Sequence, residues 1–264
     1  MLADTFSGYS TFRSPEFKKA LSQIGIELKY QDEFDQTKRA EALNQNQADL
    51  YVTTLDQFLK QKPQGKIVGL VDRTVGADAV VLNTKKFPSL KSVQDLEKLK
   101  PGQYSISYAA DTPSEYLALV LDTKFEAFKL SNFESQSVAD ASDAWKQLQD
   151  PNQNLAVAVL WEPYVTMSRK QGYTVALSSQ DAPTAIVDVI VASNRLIESQ
   201  PKVVSDFLEA YYRRIDRYYR EPNLLKEQIA KDGNLTNAEA TTVLNGIDFF
   251  NSVEAKEVDE RSHP

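Results

Sequence analysis

Short apolar runs alternate with capped, amphipathic runs along most of this chain, and that alternation restricts its fold more than any other feature. Residues 2–6, 26–30, 49–53, 66–71 and 78–83 read as strands by their apolar or β-branched content. Between them, Ser14-Pro15-Glu16 reads as N-cap, first helical position and first-turn acid, with Phe17, Ala20, Leu21 and Ile24 at helical spacing and Gly25 as the stop. Residues 37–47 read as a polar helix, and 55–59 as the start of another. The pattern then restarts. Helices are expected at 92–99, from Thr112-Pro113-Ser114-Glu115 through Leu121, at 138–148 and from Pro163 to the stop at Gly172. Strands are expected at 103–108, 125–130, 155–160, 173–177 and 185–192. The remainder reads as helix, at 201–220, 224–231 and 237–249. Strands alternating with helices in this way predict α/β lobes with mainly parallel sheets.

Glycine is scarce, 9 of 264 residues, and no Pro/Gly/Ser-rich stretch divides the chain. Two lobes are therefore joined by ordered crossing segments, for which 78–83 and 185–192 are suited. An internal echo favours two similar lobes. Ala48 to Asp56 and Leu155 to Pro163 are each a buried strand running into a helix start. Ligands of open α/β sheets bind at such strand ends.

Composition narrows the chemistry. Cysteine is absent and histidine occurs once, at His263, beside the C-terminus. Disulfides, thiolate metal sites, cysteine nucleophiles and schemes needing two histidines are excluded. The formal net charge of -7 disfavours nucleic acid, whose affinity rests on neutralised phosphates. No apolar run is long enough to span a membrane. No secretory leader is read at Met1, and a trimmed start is expected. Binding thus becomes the expectation over catalysis, with no cofactor and no metal.

Among candidate binding residues, Ser7-Gly8-Tyr9 occupies the first strand-to-helix turn, where Gly8 admits a ligand to the backbone and Tyr9 walls it. Trp161-Glu162-Pro163 places an indole and a carboxylate after a buried strand. Thr112 and Ser114 sit where a helix start offers N–H groups, although Glu115 fits a capping box equally well. Asp188 lies in an apolar run and Asp78 is flanked by apolar residues, so each needs a partner or a cavity. The aromatic and basic residues of 211–220 read as a helix packing face opposite a solvated basic face.

In order and spacing these pieces resemble the type II periplasmic binding proteins of ABC importers, in the branch that binds nitrate, sulfonate, taurine and thiamine pyrimidines. The resemblance runs through Ser7-Gly8-Tyr9, Ala48-Asp49 leading to Thr53-Thr54, and the run from Asp72 through Gly76-Ala77 to Asp78. It continues through residues 92–99, Trp161-Glu162-Pro163, Ile186-Val187-Asp188-Val189 and residues 201–214, and it covers roughly residues 2–220. Arg73 and Thr74 stand where the family carries small residues. The yeast pyrimidine-synthase relatives need a histidine donor and a cysteine-rich motif, which this chain lacks.

The resemblance implies a two-lobed α/β protein with two crossover strands, lobe one being 1–82 plus 186–264 and lobe two 83–185. It implies a small-molecule ligand enclosed between lobes that close by hinge motion, an ABC permease as partner, a monomer, and a periplasmic or extracytoplasmic location. The implied site joins Ser7, Gly8, Tyr9, Thr53 and Thr54 with Asp78, Thr112, Ser114, Trp161, Glu162 and Asp188. Tyr9 and Trp161 are cast as walls, and Glu162 and Asp188 as acceptors for a neutral or amine-bearing ligand. The alternative is a ligand-sensing or docking domain of the same fold within a larger envelope protein.

Overall fold

The computed structural model describes residues 1–256, so His263 lies outside the described residues. The chain opens with β1 (Leu2–Ala3), α1 (Ser10–Arg13), α2 (Pro15–Gln23), β2 (Gln31–Asp32), α3 (Gln36–Asn44), β3 (Leu50–Thr54), α4 (Leu55–Gln61) and β4 (Gly65–Thr74). Next come β5 (Asp78–Leu82), β6 (Tyr104–Ala109), α5 (Pro113–Lys124), β7 (Phe133–Val138), α6 (Ala141–Gln149), β8 (Leu155–Trp161), α7 (Tyr164–Lys170) and β9 (Thr174–Ser178). It continues with β10 (Val187–Ser193), α8 (Asn194–Ser199), α9 (Pro201–Arg220), α10 (Pro222–Gly233), α11 (Asn237–Leu244) and β11 (Ile247–Phe249).

Two compact units result. Among the described residues, the first comprises 1–73, 187–244 and 248–256; the second comprises 74–186 and 245–247. The sequence sets its first boundary after residue 82; the units change at 73–74 instead, because β5 is hydrogen-bonded on both sides to β8 and β9 of the second sheet.

The first sheet has the order β11-β4-β10-β3-β1-β2, and the second β7-β6-β8-β5-β9. Both are mixed rather than mainly parallel. β10 runs antiparallel to β3 and β4, and β5 runs antiparallel to β8 and β9. β10 and β5 are the first strands the chain makes after passing from one unit to the other, and each enters between two neighbours pointing the opposite way. The parallel pairs are those a helix crossover builds, such as β6 with β7 and with β8.

In the first unit α9 carries the packing face expected for it. Phe207, Tyr211, Ile215 and Tyr218 are buried, and Phe12 stacks on Tyr211 with ring centroids 4.9 Å apart. Ser14 caps α2 by accepting from the Phe17 N–H at 3.0 Å. In the second unit Val80, Leu82, Val157 and Val159 meet Leu117, Ala118 and Leu121 of α5 on one sheet face, while Leu155, Ala158 and Leu160 pack with Trp145 on the other.

Several expected elements differ. Residues 125–130 form no strand: Phe125 ends α5, Phe128 is fully buried, and pairing begins only at Phe133. The helix expected at 237–249 stops at Leu244, since Gly246 leads into β11. A Cβ at Gly246 would stand 2.8 Å from the Ala77 nitrogen, and the Gly246 carbonyl accepts from the N–H groups of Val75 and Ala77.

Candidate functional site

In the first unit β1 ends in a 3-10 turn, Ser7–Tyr9, whose three residues are all buried. The turn lies over β4 and β10. An added Cβ at Gly8 would be 2.5 Å from Asp72 Oδ2 and 2.5 Å from the Phe6 ring. Gly8→Ala is therefore expected to destabilise the first unit by about 1–3 kcal/mol through overpacking, read as a fall in denaturation midpoint. A loss within about 0.5 kcal/mol would mean that the turn relaxes freely.

Tyr9 donates its hydroxyl to Asp188 Oδ1, a bond that fixes the ring cast as a wall. Thr54, Asp188 and Asp72 lie abreast on β3, β10 and β4. Cross-strand partners project to the same sheet face. Thr53, one residue earlier, belongs to the opposite face and donates to Gln36 Oε1 at 2.7 Å. Of the two threonines, only Thr54 shares a face with Asp188.

Beneath Thr53 lies a charge network the sequence does not announce. Arg39, fully buried in a helix read as merely polar, donates to Asp4 Oδ2 at 2.6 Å, the Val52 carbonyl at 2.8 Å and the Glu33 carbonyl at 2.5 Å. Arg13 is also spent within this unit, on Asp232 and on the carbonyls of Asp4 and Phe6. Arg73 pairs with Asp248 at 2.6 Å, with both side chains about half exposed.

In the second unit the candidates cluster at the ends of β6, β8 and the antiparallel β5. Trp161 and Asp78 are register partners. By strand alternation they continue the face of Val157, Val159, Val80 and Leu82, which α5 covers. Ser114 stands in the first turn of α5, three and four residues before Leu117 and Ala118 of that same cluster. Thr112 caps α5, accepting from the Ser114 N–H at 3.2 Å and donating to the Ala109 carbonyl at 2.7 Å. Glu115 reaches back to the Asp111 N–H at 2.7 Å, in keeping with a capping arrangement.

Two donors remain unspent there. The Trp161 indole Nε1 and the Ser114 Oγ are buried without a hydrogen-bond partner among the described residues. Glu162 is different. Its Oε2 accepts from the Thr166 N–H and its Oε1 from the Thr166 hydroxyl, each at 2.9 Å. Burial pushes its carboxyl up to about 7 against the pull of those bonds. Of the two carboxylates cast as ligand acceptors, Glu162 has both oxygens turned onto Thr166, and Asp188 accepts from Tyr9 through Oδ1.

The structure brings Ser7, Gly8, Tyr9, Thr54 and Asp188 to one region of the first unit, and Asp78, Thr112, Ser114 and Trp161 to one sheet end of the second. The sequence reading passes over Thr166, Asp140 and Ser179. Asp140 caps α6 through the Ser142 N–H at 2.7 Å, and Ser179 accepts from the Gly76 N–H at 2.8 Å. The alternating Ala139-Asp140-Ala141-Ser142 is a readable cap signal; the reach of Ser179 across 103 positions is not.

The profile of the NMT1/THI5-like family matches residues 21–225. No curated protein sequence matches the chain. Among solved structures, the periplasmic aliphatic sulphonate binding protein SsuA from Escherichia coli is similar at TM-score 0.71 and 15% identity, over 97% of this chain and 87% of that one. The ligand-binding component of an ABC-type import system from Staphylococcus aureus, with zinc bound, reaches TM-score 0.74 and 16% identity, over 95% and 83%. A point mutant of DszB in complex with biphenyl-2-sulfinic acid reaches 0.60 and 11%, over 90% and 81%. At these identities the likeness is one of fold, the two-lobed α/β fold of periplasmic binding proteins, and the profile match over most of the length establishes that this chain belongs to the NMT1/THI5-like family.

Proposed function

We propose that this protein is a solute-binding protein that encloses a small molecule between its two units and delivers it to an ABC importer outside the cytoplasm. The observation that carries the reading is the pair of buried, unspent donors at one sheet end of the second unit, Trp161 Nε1 and Ser114 Oγ. Buried donors without acceptors cost stability, on the order of 1–3 kcal/mol each, and a ligand oxygen would recover it. Two of the similar structures favour such a ligand, one being an aliphatic sulphonate binding protein and the other a complex with a sulfinic acid. The ligand group recognised here is accordingly a hydrogen-bond acceptor, a carbonyl or an oxyanion. Of the neutral or amine-bearing ligand expected from Glu162 and Asp188, this reading keeps the neutral class and adds the oxyanion, because both Glu162 oxygens and Asp188 Oδ1 already accept internal hydrogen bonds. Among the described residues, no helix is long and apolar enough to cross a membrane.

The test is native mass spectrometry of co-purified ligand, followed by tryptophan fluorescence titration with that ligand and with alkanesulfonates. The two tryptophans make the experiment discriminating. Trp145 packs edge-on against Tyr173 in the core, centroids 5.5 Å apart, whereas Trp161 ends its strand with a free N–H. A saturable change is expected to survive Trp145→Phe and vanish in Trp161→Phe, with affinity falling about tenfold or more for a lost buried hydrogen bond to a charged group. A signal that follows Trp145 instead would move the site away from the end of β8.

A further inference from the structure

Asp72 and Asp188 are register partners on β4 and β10, 0% and 1% exposed. Each sits beside a point where the chain passes between units, at 73–74 and at 186–187. Asp188 Oδ1 takes the Tyr9 hydroxyl, while its Oδ2 is buried with no donor among the described residues. The Ser7–Tyr9 turn closes over the pair so tightly that Gly8 leaves no space for a Cβ beside Asp72 Oδ2.

Around Asp188 stand hydroxyls and further carboxylates. Tyr9 comes from the turn after β1, and Tyr211 from α9, its hydroxyl buried and without a partner among the described residues. Tyr212 is spent on the Leu70 backbone, with both bonds at 2.8 Å. Tyr218, farther along α9, bonds the Arg214 side chain. Asp4 adds a further negative charge, and Arg39 is held by Asp4 at 2.6 Å. Two ionised carboxylates at facing strand positions, both out of water, repel strongly.

We propose that Asp72 and Asp188 share a single proton, and that this shared proton fastens the ends of β4 and β10 where the chain crosses between units. One carboxyl donates to the other, Tyr9 donates to Asp188, and the pair carries one negative charge rather than two. Burial and the Asp72 charge hold the Asp188 carboxyl well above the usual carboxylate range, in agreement with the geometry. The sign follows. The folded state keeps a proton that the unfolded chain has released, so stability here falls as pH rises above the ordinary carboxylate range and is lost as the pair itself titrates. The consequence is a strand junction that loosens with alkalinity.

The test is hydrogen exchange on the intact protein, corrected for intrinsic rates, at the amides of residues 70–73 and 187–190 between about pH 6 and about pH 9. In the wild type, exchange there is expected to accelerate about tenfold or more across that range. Asp188→Asn supplies an amide donor for Asp72 and a carbonyl for Tyr9 and does not titrate, so its rates are expected to stay within about twofold. Equal acceleration in wild type and Asp188→Asn would overturn the proposal. Should that variant fold poorly, infrared spectra of the wild type near neutral pH decide the matter. A protonated-carboxyl C=O band that disappears at alkaline pH, and is missing its Asp188 share in Asp72→Asn, supports the shared proton. Absence of that band in the wild type overturns it. Glu162→Gln serves as background in the infrared experiment, since the Glu162 carboxyl also holds its proton up to about 7.

Discussion

Replacing Arg39 with alanine is expected to destabilise the first unit by about 3–5 kcal/mol, the range for breaking a buried ion pair by removing one partner. Arg39 is 0% exposed and donates to four acceptors, three of them on different segments: Asp4 after β1, the Glu33 carbonyl before α3, and the Val52 carbonyl of β3. Its loss leaves Asp4, 6% exposed, as a buried carboxylate without its cation. It also releases Gln36, whose Oε1 bonds both Arg39 and Thr53. Domains hold about 5–15 kcal/mol in total, so this single change removes a large fraction of the unit's stability. The measurement is hydrogen exchange resolved to residues 36–54, where protection is expected to drop most. Adding Asp4→Asn to the variant should recover part of the loss, because the stranded charge is the main cost. A penalty below about 1 kcal/mol would mean that water or another group replaces the guanidinium.

In the second unit the largest expected effect is a pH dependence centred on Glu162. Its carboxyl is raised to about 7 in the folded protein from an ordinary value of 4.5. The folded state thus binds a proton that the unfolded chain releases, and stability declines as pH climbs from about 4.5 to about 7, by about 3 kcal/mol in all. Glu162→Gln mimics the protonated acid. One amide atom accepts from the Thr166 N–H and the other donates to the Thr166 hydroxyl, preserving the pair of 2.9 Å contacts. The variant is expected to equal the wild type near pH 4.5 and to exceed it by up to about 3 kcal/mol at pH 8. Trp145 and Trp161 both belong to the second unit, so denaturation followed by their fluorescence isolates this effect from events in the first. A flat difference between wild type and variant across that range would show that Thr166 keeps the carboxylate charged.

Local physics made much of this molecule legible in its sequence. Ser14-Pro15 starts α2 and Thr112-Pro113 starts α5 because a short polar cap and a proline suit the first turn wherever they occur. The packing stripe of α9 follows from helical spacing alone, and the apolar run of β8 is buried at every position. The ends of β6 and β8 are readable for the same reason, since each is an apolar run meeting a helix start, whereas Asp78 and Asp188 open β5 and β10. The partners of the polar groups at those ends were decided elsewhere. Tyr9 meets Asp188 across 179 positions of chain, and Asp72 meets Asp188 only because β10 returns antiparallel beside β4. Thr53 and Thr54 look alike in sequence, yet strand alternation sends one to Gln36 and the other to the face of Asp188. A carboxylate such as Glu162 reads identically whether it awaits a ligand or caps its own helix. Periodicity and capping are properties of neighbours along the chain, whereas hydrogen-bond satisfaction and charge depend on which distant groups the sheet topology brings within about 3 Å.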